Sequence, residues 1–193
     1  MTKWLSHRMV ERGIIKEEEQ ELYQFGIRNG MILLLNVVTA LVIGLLTEQL
    51  AVVAVFTLSF MVLRSYTGGY HSDSRIFCYL GSNLVLLVPV YTQAVFYKTS
   101  LARLLAVLLV SAGIIFLLSP MHSKKRKLDK EEQKHFGRKA RLIAALELAV
   151  LGILWHAGQI PYAYAVYTGI CITALFMIVG KAQLWIQSHT ENG

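Results

Sequence analysis

Charge is scarce in this sequence. Asp, Glu, Lys and Arg make up 16% of its 193 residues, against about 25% in a soluble domain. A hydrophobic share of 55%, carried by long Leu, Val and Ile runs, takes its place and excludes an ordinary soluble globule. Cysteine is scarce too: Cys78 and Cys171 are too few for a disulfide framework and form neither a CxxC redox pair nor a zinc motif. No Pro-rich linker, repeat or low-complexity tract divides the chain, which leaves no room for a separate soluble domain. There is no GxxxxGK[ST] motif, so no nucleotide-driven step is expected. Residues 1–30 lack the short apolar core and small-residue cleavage site of a signal peptide and read as part of the mature protein.

What is present is apolar sequence in six stretches: 31–47, 50–63, 76–97, 101–118, 142–157 and 160–180. A membrane-spanning helix needs about 20 such residues, with a range of roughly 17–25. The third, fourth and sixth stretches meet that length and the first is acceptable. The second reaches it when extended to Thr47–Ser65, and the fifth when its start moves back toward Lys139. The links Glu48-Gln49 and Lys98 to Ser100 allow only tight hairpins between neighbouring helices. The expectation is an all-α integral membrane protein with a single membrane domain over 1–193: a bundle of about six transmembrane helices in 31–193, preceded by an amphipathic N-terminal segment, 1–30. In that segment Trp4, Met9, Val10, Ile14, Ile15, Leu22, Phe25 and Ile27 interleave with charges, as in a helix lying in the interface or a substrate-docking surface.

Orientation follows from the cations. With a cytoplasmic N-terminus, the inner segments 1–30, 64–75, 119–141 and 181–193 hold 17 of the 19 Lys and Arg residues, leaving only Lys98 and Arg103 outside. Both termini are therefore placed in the cytoplasm. Residues 124–141 alone hold nine basic residues and read as an inner loop at an anionic leaflet, so the lipid bilayer, not nucleic acid, is the expected partner of this charge.

Five polar residues interrupt the apolar runs: Asn36, Asn83, Gln93, Arg103 and Glu147. Arg103 lies close enough to its span's end to snorkel. Glu147 is deeper and is expected to pair with Arg141, Lys139 or a residue of another helix. Asn36 and Asn83 read as interhelical hydrogen-bonding groups. The small-residue face from Ala40 to Gly44 allows close helix packing and suggests a homodimer.

Reactive groups are densest at 64–78, RSYTGGYHSDSRIFC, which brings Arg64, His71, Asp73, Arg75 and Cys78 together beside Gly68-Gly69, a pair free to adopt backbone angles closed to other residues. A cysteine protease needs a thiolate and an imidazole that accepts and then donates its proton. Cys78 and His71 supply those groups. In one continuous helix they would share a face yet stand about 10 Å apart, so a His71 loop folding back on Cys78 in the first turn of the third span is the workable geometry. Unpaired N–H groups and the helix dipole there favour a thiolate and can bind an oxyanion, with Arg75 or Arg64 adding to the effect. Cys78 as an unreactive buried thiol stays open beside this reading. A metal site of His71, Asp73 and Cys78 lacks a fourth ligand, and no metal or other cofactor is expected. Cys171, in ICITALFMIVG without a nearby His or charge, reads as a small core residue.

Arg64, then Gly68-Gly69-Tyr70-His71, then Cys78 at the mouth of a span, with two spans before and a strongly basic inner loop after, resembles AgrB, the accessory gene regulator membrane endopeptidases of Gram-positive quorum sensing. The resemblance covers essentially the whole chain. It implies a cysteine endopeptidase at the cytoplasmic face of the cell membrane that cuts the C-terminal tail from an AgrD-type propeptide. The acyl group is then captured by a thiol or hydroxyl of the peptide, giving a thiolactone or lactone. Cys78 would be the nucleophile, His71 the base and acid, Asp73 the nearest third member with Glu147 or Asn83 as alternatives, and Arg64, Gly68, Gly69 and Arg75 supporting positions. The basic cluster Lys124, Lys125, Arg126 and Lys127 would meet the acidic propeptide tail. The competing reading is a non-enzymatic peptide transporter with Gly68-Gly69 as hinge, which the scarcity of deep charges disfavours.

Overall fold

The computed structural model describes residues 2–68, 75–121 and 130–190. Among these residues the structure is all-α: α1 (Thr2–Glu11), a 3-10 turn (Glu17–Glu19), α2 (Gln20–Leu46), α3 (Leu50–Thr67), α4 (Arg75–Tyr91), α5 (Gln93–Lys98), α6 (Leu101–Leu118), α7 (Lys130–His156) and α8 (Ile160–Thr190). The chain divides into two compact units, Met1–Thr39 and Ala40–Gly193.

In the first unit α1 ends at a turn where Gly13 takes φ +67°. The backbone N–H of Lys16 donates to Glu19 Oε2 at 3.2 Å and anchors the 3-10 turn. Helix α2 then starts at Gln20, ahead of the apolar stretch at 31–47, so residues 20–30 run without a break into apolar helix. Trp4, Ile14 and Leu22 are exposed among the charged residues. Asn36 Oδ1 is buried without a hydrogen-bond partner among the described residues.

The second unit is organised by α8. This helix is apolar all round, and its apolar window is the most buried of the long helices, as expected of a central element. It packs most extensively on α3, then on α6 and α7, and also touches α4 and α5. Ala165 and Ile172 join Val52, Val53, Phe56, Leu86 and Val90 in one core cluster. Val166, Ile170, Ala174 and Met177, at helical spacing on a second face, join Leu63, Leu108, Ile115 and Ala144 in another. Two clusters on two faces of one helix are what a 3.6-residue period produces when all sides are apolar.

The outer faces are apolar as well. Helix α7 exposes Leu142, Leu146, Val150 and Ile153, one helical stripe, and α6 exposes Leu105, Leu109, Val110 and Leu117. Contiguous apolar surface of this extent suits hydrocarbon rather than water. Leu50–Thr67, Leu101–Leu118 and Ile160–Ile186 are each long and apolar enough to cross a membrane, while Gly30–Leu46 and Tyr79–Tyr91 are shorter apolar helices. These features fit a membrane protein.

The third apolar stretch is not one helix. Pro89 in α4 has no N–H to give the carbonyl four residues back, and the helix ends at Tyr91, with α5 starting at Gln93. Phe96 pins the short α5: its ring lies 4.5 Å from Tyr164, 5.4 Å from Tyr167 and 5.9 Å from Trp155. The hydroxyls of Thr92 and Tyr164 are hydrogen-bonded beside the break. The turn between α2 and α3 is tight, with Glu48 at φ +55°. Gly44 lies against Leu50 there, whose Cα would stand 2.9 Å from any Cβ at that glycine. That part of the small-residue face is thus taken up within the chain.

Glu147 finds its partner on another helix. Ser59 Oγ of α3 donates to Glu147 Oε2 of α7 at 2.6 Å, where Ser59 is buried. Gly169 of α8 closes the group, because a Cβ there would stand 2.7 Å from Ser59 Oγ and 3.3 Å from its Cβ. Asn83, by contrast, turns back on its own helix, its Nδ2 donating to the Tyr79 carbonyl at 2.9 Å.

Gly169→Val should force α3 and α8 apart and lower stability by about 1–3 kcal/mol, the usual cost of overpacking. Ser59→Ala should cost about 1 kcal/mol by leaving Glu147 without its donor. Thermal unfolding of the purified protein in detergent tests both, and equal melting of Gly169→Val and wild type would exclude the close approach.

Candidate functional site

The chemistry-bearing segment starts where α3 stops. Helix α3 runs to Thr67, so Arg64 lies in its last turn, not in the loop that the sequence pattern begins there. Gly68 ends the helix at φ +72°, ψ −149°, a region open essentially to glycine alone. Its N–H still donates to the Arg64 carbonyl at 3.3 Å. A Cβ on Gly68 would stand 2.7 Å from the Met121 carbonyl oxygen. Both conformation and space therefore require glycine at this position.

The end of α3 is held from three sides. The Arg64 guanidinium stacks 4.8 Å from the Phe176 ring of α8 and 5.9 Å from Phe60 of its own helix, a cation–π arrangement that fixes a cation at the helix end. Tyr66 faces α7, with Phe136 at 6.4 Å between ring centroids and Lys139 Nζ at 5.9 Å from its ring. From the turn after α6, the Met121 N–H donates to the Thr67 carbonyl at 2.9 Å, and Thr67 is fully buried. The end of α3 is thus in contact with α7, α8 and the turn after α6.

The chain's return is equally defined. Helix α4 starts at Arg75, which makes Cys78 the fourth residue of the helix, in the first turn. The first four N–H groups of a helix have no partner within it, and the dipole there is positive.

Of the residues that the sequence singles out, the structure brings Arg64 and Gly68 together at the end of α3 and puts Cys78 and Arg75 in the first turn of α4 by backbone position. The side chains of Arg75 and Cys78 lie outside the described residues, as do Gly69, His71 and Asp73 entirely. Lys124, Lys125, Arg126 and Lys127 also fall outside them. Glu147 is occupied by Ser59 in the bundle. No group of three or more His, Cys, Asp or Glu arranged for a metal occurs among the described residues. Cys171 is a free, half-buried thiol of α8. Sequence reasoning missed Met121 and Thr67, which brace the loop, and Phe176, which holds Arg64; nothing local marks them, because each acts through a contact distant in sequence.

Gly68→Ala should displace the Met121 turn and strain the backbone, at about 1–3 kcal/mol, so its melting temperature should fall together with any activity that depends on the loop. Wild-type stability in this variant would mean that the glycine conformation is not required.

The AgrB family, described as accessory gene regulator B, matches the chain over residues 1–179. A putative AgrB-like protein of Clostridium perfringens (strain SM101 / Type A) is 22% identical over 148 residues, covering 74% of this chain and 69% of that protein. Putative AgrB-like protein 2 of Clostridium perfringens (strain 13 / Type A) is 24% identical over 134 residues, 65% of this chain and 61% of its own length. The accessory gene regulator protein B of Staphylococcus intermedius is 26% identical over 156 residues, 79% of this chain and 80% of that protein. No solved structure matches. A membrane-type helical bundle, a glycine-terminated α3, a cysteine in the first turn of α4 and a family match over nearly the whole length agree: the chain belongs to the accessory gene regulator B family.

Proposed function

We propose that this protein is a membrane cysteine endopeptidase of quorum sensing, which cuts the C-terminal tail from an AgrD-type propeptide and promotes closure of the remaining peptide into a thiolactone or lactone. The observation that carries the reading is Cys78 in the first turn of α4, seven residues after His71, in a chain of the AgrB family. The six apolar stretches cross the membrane with both termini cytoplasmic, which puts this segment where a newly made peptide arrives.

In the reaction, His71 accepts the proton of Cys78 Sγ, and the thiolate attacks the scissile carbonyl carbon. Charge builds on the carbonyl oxygen, where N–H groups of the first turn of α4 stabilise it, with Arg75 nearby. The C–N bond breaks, the imidazolium passes its proton to the leaving amine, and a thioester to Cys78 remains. Asp73 orients the imidazole. A thiol or hydroxyl of the peptide, giving its proton to His71, then attacks the thioester, so that the ring closes and Cys78 recovers its proton. Capture by the peptide outruns hydrolysis where the internal nucleophile is held close and water is scarce. Lys124, Lys125, Arg126 and Lys127 attract the acidic tail.

Cys78→Ser should abolish cleavage of a propeptide in reconstituted membranes. His71→Ala should slow it by about 10²–10⁴-fold, the usual contribution of a positioned acid–base group. Without substrate, Cys78 should be alkylated well below the pH at which an ordinary thiol reacts, with Cys171 as internal reference, and His71→Ala should remove that advantage. Full cleavage by Cys78→Ser would exclude Cys78 as nucleophile, whereas peptide transport that persists in Cys78→Ser without any cleavage would favour a transporter.

A further inference from the structure

A second concave site lies beside the turn that braces Gly68. It is a polar cavity of about 340 Å³ between the turn after α6 and the first half of α7, lined by Ser119, Gln133, Lys134, Arg138 and Arg141 together with Pro120 and Gly137. Lys134, Arg138 and Arg141 follow one another at spacings of four and three, so one face of α7 presents three cations to it. Arg141 is tethered, its Nε donating to the Phe116 carbonyl at 3.3 Å. Gly137 lets the turn approach closely, since a Cβ there would meet Pro120 Cδ at 3.1 Å. Ser119, which also lines the cavity, is 6% exposed, and its Oγ has no hydrogen-bond partner among the described residues.

A buried hydroxyl without a partner is costly, and the cavity that Ser119 lines also carries three cations and a side-chain amide. Among the described residues the carboxylates Glu131 and Glu147 are not part of this lining. Such a set fits an anion with several oxygens. The position in the helix identifies its source. Immediately after Arg141 begins the outward stripe Leu142, Leu146, Val150 and Ile153, all exposed and suited to hydrocarbon. The cavity therefore sits where apolar surface gives way to charge, the depth at which phospholipid phosphates lie, and an acyl chain leaving it has an apolar face to follow.

We infer that this cavity binds the headgroup phosphate of an anionic phospholipid, held by Ser119, Lys134, Arg138 and Arg141, with an acyl chain along the exposed stripe of α7. Because Ser119 and Pro120 lead directly into Met121, whose N–H holds Thr67, the bound lipid also braces the base of the candidate active-site loop.

The test is native mass spectrometry of the full chain, delipidated in detergent and titrated with phosphatidylglycerol or phosphatidylcholine. Wild type should retain one phosphatidylglycerol tightly and phosphatidylcholine weakly. Lys134→Gln/Arg138→Gln should weaken phosphatidylglycerol by roughly 25-fold, about fivefold per cation, and Ser119→Ala by about tenfold. Lys181→Gln, an exposed cation of α8 that does not line the cavity, should leave retention unchanged. Equal retention of both lipids, or equal loss in Lys181→Gln, would overturn the proposal. So would displacement of the lipid by millimolar inorganic phosphate, which would make the site one for a free anion. If the cavity variants keep phosphatidylglycerol but lose an acidic peptide, the cavity serves a peptide and the lipid assignment fails.

Discussion

Where α8 passes α3 at Gly169, no side chain keeps the backbones apart, and Ser59 Oγ occupies the place a Cβ would need, 2.7 Å away. The same hydroxyl donates to Glu147 of α7. Three helices thus meet at one glycine and one hydrogen bond. In hydrocarbon there is no hydrophobic force to bring helices together, so close packing of small residues and interhelical hydrogen bonds must do it. The two core clusters, one on each face of α8, extend from this crossing.

That packing sets the base of the candidate active site. With α8 fixed against α3, Phe176 lies under the Arg64 guanidinium. With α7 fixed against both, Phe136 and Lys139 flank Tyr66. The turn after α6 then closes on Thr67 and Gly68 through Met121. A catalytic loop needs its reactive groups held to fractions of an ångström, and a helix end gripped from three directions is a sound start for one. The cationic cavity is lined by the same turn, through Ser119 and Pro120.

The membrane character of the chain was legible without coordinates, because apolar length and cation placement are local properties that the bilayer reads directly. The helix boundaries were less so. The stretch 76–97 reads as continuous by composition, yet it breaks after Pro89, and the break is tolerated because Phe96 finds an aromatic nest on α8 and α7. The pattern 64–78 begins at Arg64, yet Arg64 lies in the last turn of α3, with its guanidinium 4.8 Å from the Phe176 ring.

The sequence by itself determined the apolar stretches, the gathering of Arg64, His71, Asp73 and Cys78 into one short segment, and the need for glycine next to them. All of these are set by neighbours along the chain, through helical period, length and backbone freedom. Only the tertiary structure decided that Glu147 takes Ser59 rather than Arg141 or Lys139, that Gly68 must clear Met121, and that Ser119 shares a cavity with three cations of α7. Those pairings join residues from different helices, and which faces of two helices meet depends on how every side chain between them packs. No local pattern contains that information.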